Sequence, residues 1–280
     1  MIRKLSPHVT KRADPLYIFA HLQKTAGSTF RKHVRAAFAP EELLEIYLGG
    51  ELKNQEAIER YMHSLTPERK AKTKMILGHH VYFGIHRLFP KEPRYIIFLR
   101  NPVDRTISHY NYCRTDHARG QQNHHPPVVG EDGDILPFRI WFDRNPRLHN
   151  FMTRYLVRFY RGTISDGEVV EADLQTAREV LGGFYFVGVT ERYSEDVLYL
   201  YHELGLRKFF GDENISEKHF EADEAAIDLI RINCRYDLEL YEFARELNAR
   251  FRSQHKDFQQ VVTGMKQKIG VDGPKRAAIE

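Results

Sequence analysis

Two short runs of this chain carry residue types that could do chemistry. The first is Lys24-Thr25-Ala26-Gly27-Ser28-Thr29, which follows an apolar segment at 16–20 and opens a helix-forming stretch. A cation, three hydroxyls and two small residues at a helix start make an anion site. The first N–H groups of a helix have no intrahelical acceptor, and the helix dipole favours negative charge there. The second run is Arg100-Asn101-Pro102-Val103-Asp104-Arg105-Thr106-Ile107-Ser108, again after an apolar segment, at 94–99. Arg100 ends that segment, and Ser108 lies two turns into the following helix on the face of Asp104. Two anion sites on two such units fit one ligand with two separated phosphate groups.

The elements that position these runs follow from pattern. Residues 16–20 (LYIFA) and 94–99 (RYIIFL) lack polar alternation, as central parallel strands buried on both faces do. Further strands are expected at 43–48, 74–78 and 184–189. Helices are expected at 27–38, 55–65, 103–114, 135–160 with a break at Asn145-Pro146, 171–181, 190–204 and 221–251. Pro102 suits the first position of its helix. Strands alternating with helices predict a three-layer α/β fold, a P-loop-like parallel sheet flanked by helices. Ligands of such sheets sit at the carboxyl ends of the strands, so both runs face one crevice. The chain divides into an N-terminal arm (1–15), a single α/β domain (16–254) and a polar C-terminal tail (255–280). Within the domain, 115–160 reads as a substrate-side insertion, opening on a polar loop at 115–134. Gly49-Gly50 punctuates the second strand, and His124-His125 reads as loop without companion metal ligands.

Composition narrows the partners. The net charge of +4 in 280 residues suits an anionic ligand and is too small to argue for nucleic acid. Two cysteines, Cys113 and Cys234, form neither a metal spacing nor a disulfide framework and read as separate buried helical thiols. No run reaches the length of a membrane span, and the basic, polar start lacks a secretory apolar segment. The expectation is a cytoplasmic protein as written, or a Golgi-lumen one if the chain is a piece of a longer protein.

The first run is not a Walker turn. That motif needs a glycine opening the loop and a lysine just before the helix. Here Lys24 precedes Gly27, and bulky Leu22 stands in the loop. A 5′-phosphate gripped by helix-start amides fits better than a wrapped triphosphate. With that, HLQKTAGSTF and RNPVDRTISHY together resemble the two donor-binding motifs of sulfotransferases that use 3′-phosphoadenosine 5′-phosphosulfate (PAPS). The likeness is to the carbohydrate branch that contains heparan sulfate 2-O-sulfotransferase. It extends to ILGHHVYFGIHRLF at 76–89, similar to that family's segment with a catalytic histidine, and to FVGVTERY at 186–193. Leu77 stands where a relative of that type has the first histidine of a His-Gly-His string.

The resemblance implies that Lys24, Thr25, Ala26, Gly27, Ser28 and Thr29 bind the 5′-phosphosulfate and Arg100 and Ser108 the 3′-phosphate. It implies transfer of a sulfuryl group from PAPS to a hydroxyl acceptor, a glycan or glycolipid, with no metal. Lys24 would meet charge on the leaving oxygen. His79, after the glycine at a strand end, would act as general base, since a neutral imidazole suits proton removal near pH 7. His80, which points the opposite way on extended chain, is the rival for that role; His80 and His86 are also candidates for acceptor contacts. Arg105 is expected to pair with Asp104 or Glu191. Competing readings are a nucleoside-kinase-type phosphotransferase, requiring Mg²⁺ and ATP, and a non-catalytic nucleotide-binding protein of the same fold.

Overall fold

The computed structural model describes residues 14–47, 55–121, 126–162, 167–206 and 219–269. The expectations for the arm at 1–13, for Gly49-Gly50, for His124-His125 and for 270–280 lie outside these residues. The strands are β1 (Pro15–Ala20), β2 (Leu43–Glu45), β3 (Met75–Gly78), β4 (Glu92–Leu99) and β5 (Phe186–Val189). They form one sheet in the order β2-β3-β1-β4-β5, and every neighbouring pair is parallel. The helices are α1 (Gly27–Ala37), α2 (Gln55–Ser64), α3 (Pro67–Lys72), α4 (Pro102–Ala118), α5 (Phe138–Asp143) and α6 (Phe151–Arg161). They continue as α7 (Glu171–Gly182), α8 (Tyr193–Glu203), α9 (Glu224–Asn233), α10 (Arg235–Gln254) and α11 (Phe258–Ile269).

Alternation along the strands sorts side chains into two cores. Leu16, Ile18 and Ala20 of β1 pack with Ile76, Ile97 and Leu99 under residues of α2, α6, α7 and α10. Tyr17 and Phe19 face the other way, with Leu77, Ile96 and Phe98, under α1, α8 and α11. Helices on both faces of a parallel sheet give the expected three layers. A third cluster joins α4, α5 and α9 around the buried Trp141. Among the described residues no helix is long and apolar enough to cross a membrane.

Besides α3, where no helix was expected, and β2, which ends at Glu45, two stretches differ from expectation. The helix after Pro102 runs on to Ala118, taking four residues from the anticipated loop, because Thr115 and Asp116 are buried there. The 135–160 segment breaks where expected, into α5 and α6, with a 3-10 turn at Pro146–Leu148 and Asn150 in a left-handed conformation between them. Residues 258–269 are not a loose tail but α11, whose Phe258, Val262 and Met265 enter the core, Phe258 stacking 4.7 Å from Tyr199. That i, i+4, i+7 apolar spacing is one helix face hidden in a polar composition. Cys234 sits at the junction of α9 and α10 rather than inside a helix.

Candidate active site

Because the strands are parallel, their carboxyl ends open on one edge. The strand order sets what stands there. The turn after β1 lies in the middle, the histidines after β3 on one side, and Arg100 after β4 on the other. Ala20 is in register with Gly78, so His21 and His79 leave their strands side by side. Gly78 is required by crowding: a Cβ there would lie 1.9 Å from the carbonyl oxygen of Ile46.

The β1 turn is strained in a useful way. Lys24 and Ala26 have φ of 66° and 65°, with Thr25 between them on the ordinary side. Alternating handedness turns successive backbone N–H groups toward one concavity, an anion nest. Non-glycine residues hold left-handed conformations at a cost of about 1–2 kcal/mol each. Here the surroundings enforce it: Thr25 is fully buried and donates its hydroxyl to the Leu22 carbonyl at 2.8 Å, and the Tyr193 hydroxyl donates to the Ala26 carbonyl at 3.3 Å. No side chain caps α1. A Cβ on Gly27 would meet the His21 ring at 2.1 Å, so that ring fills the space glycine leaves. The three hydroxyls grouped by sequence therefore separate: Thr25 braces the turn, Thr29 is buried, and Ser28 stays half-buried at the helix start.

Lys24 extends its ammonium 4.0 Å over the Tyr112 ring of α4. Burial lowers its pKa to about 8, with the charge of Arg100 the next cause and Cys113 and Asp116 opposing. Two cations held close enough to repel make a pocket that an anion would relieve.

The β4 turn is built differently. Asn101 Oδ1 accepts from the Val103 N–H at 2.9 Å, and Pro102 brings no N–H, so this helix start is capped from within. Arg100 and Ser108 are both half-buried beside it. Glu191, just past β5, accepts from the Asn101 N–H at 3.4 Å and from the Tyr241 hydroxyl. Arg105 does not form the expected ion pair, since Glu191 is engaged elsewhere. Its guanidinium is buried 4.4 Å over the Phe151 ring, without a hydrogen-bond partner, in the field of Asp237.

On the other flank, His79 Nδ1 lies 2.6 Å from the His21 carbonyl oxygen. A carbonyl only accepts, so Nδ1 carries the proton and the lone pair is on Nε2. Arg158 of α6 donates to the His79 carbonyl at 2.7 Å. His80 faces that guanidinium; burial first, then Arg158, lowers its pKa to about 4, so it is neutral at physiological pH. His86 goes elsewhere, 2.8 Å from the Tyr95 hydroxyl. Tyr95 is four residues before the end of β4, roughly 13 Å back along the strand at about 3.3 Å per residue. The structure thus gathers Lys24, Ser28, Arg100, His79 and His80 at one edge and leaves His86 apart.

Sequence reading missed His21, Tyr47, Tyr112 and Arg158, and weighed Tyr193 for an adenine pocket rather than as a brace of the β1 turn. His21 had one signal, its place six residues before Gly27. Arg158 had none, because α6 brings it in from another part of the chain. Among the described residues, no group of three or more His, Cys, Asp or Glu is placed to hold a metal ion.

No family model matches the chain. Uronyl 2-sulfotransferase from Homo sapiens is 26% identical over 196 residues, covering 63% of this chain and 48% of the relative. The Mus musculus protein of that name matches at the same identity and coverage. The chain thus spans about half the length of these relatives. A solved sulfotransferase from Alicyclobacillus acidocaldarius is 15% identical, with a TM-score of 0.39 over 89% of this chain and 99% of that one. The curated matches agree with the resemblance to carbohydrate sulfotransferases carried by the motifs.

Proposed function

We propose that this chain is a carbohydrate sulfotransferase that moves a sulfuryl group from PAPS to an acceptor hydroxyl, with His79 as general base. The observation that carries the reading is the strand order. It sets an uncapped helix start with Lys24 between Arg100 on one side and an oriented imidazole at His79 on the other, which supports an anionic ligand across this edge. A donor with phosphates at both ends of one nucleoside fits this line, and a wrapped triphosphate does not.

The residues present fit such a donor. Backbone amides of the nest and the Ser28 hydroxyl hold the 5′-phosphosulfate, while Arg100 and Ser108 hold the 3′-phosphate. The donor supplies an activated sulfur already joined to a leaving phosphate. Attack by the acceptor oxygen forms one S–O bond as the S–O bond to the 5′-phosphate breaks. The acceptor proton passes to Nε2 of His79, and the departing electron pair stays on the phosphate of adenosine 3′,5′-bisphosphate. Lys24 meets that developing charge from a fixed position in a partly dry site, where a cation is most effective. His80 and Arg158 border the acceptor side. The name of the relatives, uronyl 2-sulfotransferase, supports a hexuronyl hydroxyl of an acidic glycan as acceptor, for which Arg158 offers a charge.

Thermal shift measurements test the donor. Adenosine 3′,5′-bisphosphate at about 100 times its Kd should stabilise the fold by about 2.7 kcal/mol, by binding the native state. ATP should leave the melting temperature nearly unchanged; equal stabilisation by both would sink the 3′-phosphate assignment. Labelled PAPS with an array of acidic and neutral glycans then reads out transfer directly.

A further inference from the structure

We infer that Tyr47 is a positioning residue for the reaction, acting through His21 to fix where His79 presents its Nε2. The inference rests on the reading of His79 as the base. The geometry is a ladder from α1 to that base. The His21 and His79 rings lie 4.2 Å apart, tilted by 35°, and the Tyr47 ring meets His79 edge-on at 4.9 Å. Tyr47 is hydrogen-bonded through its hydroxyl to His21 Nδ1 at 2.8 Å. His21 has little room to turn: Gly27 closes one side, and Phe19 stacks 5.5 Å away on another. Tyr47 is itself clamped, with the Arg31 guanidinium 4.1 Å over its ring. Glu45, two residues earlier, holds Arg31 by a two-point contact at 3.1 and 2.9 Å and also binds Arg35.

Such a clamp has a purpose in proton transfer. His79 gives one nitrogen to the His21 carbonyl, and the other must meet the acceptor hydroxyl within hydrogen-bond reach. Its ring is held on one face by His21 and at the edge by Tyr47. The groups facing it are His21 after β1, Tyr47 after β2, and His80 and Arg158 on the side of α6, with Arg31 behind Tyr47. Burial keeps His21 and His80 uncharged, so no imidazolium beside the base opposes its taking a proton. Burial also raises the Tyr47 phenol, which stays protonated and bonded to His21. Removing that hydroxyl leaves the shape of the stack and releases the register of His21, and with it that of His79.

The test compares Tyr47→Phe with His79→Ala. A displacement of the base on the scale of 1 Å costs up to about a hundredfold, so Tyr47→Phe should lower kcat roughly tenfold or more. Acceptor KM and affinity for adenosine 3′,5′-bisphosphate should hold, because neither anion site is touched, while the melting temperature falls by the few degrees that one lost, partly buried hydrogen bond costs. Nitrogen-15 NMR of labelled histidine should show the Nδ1–H form of His79 in the parent and a mixture with the other tautomer in Tyr47→Phe. Wild-type kcat in Tyr47→Phe, or a loss of bisphosphate affinity as large as that of kcat, would overturn the positioning role while leaving the base assignment standing. Full activity in His79→Ala would overturn the base assignment and this inference with it.

Discussion

The turns after β1 and β4 look alike in sequence, each an apolar strand, a basic residue and a helix start with hydroxyls. In space they are opposites. The β1 turn leaves α1 without a side-chain cap and holds two non-glycine residues in left-handed conformations, so it offers backbone amides. The β4 turn caps α4 with Asn101 and begins it with Pro102, so its first amides are engaged or missing, and in the proposed reading Arg100 and Ser108 do the binding. On that reading one unit grips by backbone, the other by side chain. The difference tells which residues can be exchanged: a backbone site tolerates loss of a hydroxyl, whereas a side-chain site fails when its arginine goes.

The largest expected effect is at the one charged side chain the β1 turn adds to its amides. Lys24→Met should lower kcat by about 10²–10³-fold, the usual cost of removing a group aimed at developing charge. Bisphosphate affinity should fall far less, since the amides remain. The next effect separates the two turns. Arg100→Gln removes a charged hydrogen-bonding partner, worth about 1.5–3 kcal/mol, or roughly ten- to a hundredfold in bisphosphate affinity. Affinity for adenosine 5′-phosphate, which lacks the 3′-phosphate, should be unmoved. Ser28→Ala should cost only a fewfold. Calorimetric titration of the three variants decides: a Ser28→Ala loss as large as that of Arg100→Gln would break the contrast between backbone and side-chain grip.

A smaller effect lies in pH. Lys24 must be protonated to act, and burial beside Arg100 lowers its pKa to about 8. The catalytic efficiency toward the donor reports the free enzyme, so kcat/KM should fall as pH rises through about 8. Bound phosphates stabilise the ammonium, so kcat at saturating donor should persist to higher pH. Coincident limbs in the two profiles would mean that another group, or no contact between Lys24 and the donor phosphate, governs the basic side.

What was legible in sequence follows the same division. The apolar runs at 16–20 and 94–99 marked central strands because burial on both faces leaves no polar alternation, the run at 184–189 marked the strand that forms the sheet edge, and alternation with helices then dictated a parallel sheet. Lys24, Arg100 and His79 were legible because each follows such a run. Long-range packing was not. The partner of Arg105 was expected to be an acid, Asp104 or Glu191, yet the side chain is buried against Phe151 from α6. Arg158 reaches His79 from α6, and nothing within either segment announces the meeting. Even α11 was hidden, because three apolar residues on one face are lost in a polar count. His21 was half visible: its ring explains why residue 27 is glycine, but only the structure shows the ring lying there.

The smallest effects lie at the N-cap, where the two units can be compared position for position. Ala26 caps α1 in a left-handed conformation without a side-chain bond, and Asn101 caps α4 with one. Asn101→Ala leaves the Val103 amide without its acceptor and should cost about 1 kcal/mol. For a domain of this size that lowers the melting temperature by about 2–4 °C. Ala26→Gly acts in the other direction: glycine adopts φ near 65° without the steric cost of about 1–2 kcal/mol, less the entropy it adds to the unfolded chain. The melting temperature should hold or rise slightly, while bisphosphate affinity falls a little as the nest loosens. Opposite signs at equivalent positions are what distinguish a turn strained open for a ligand from one closed on itself. If both substitutions destabilise alike, Ala26 is an ordinary cap, and the amides of α1 have no special claim on the donor.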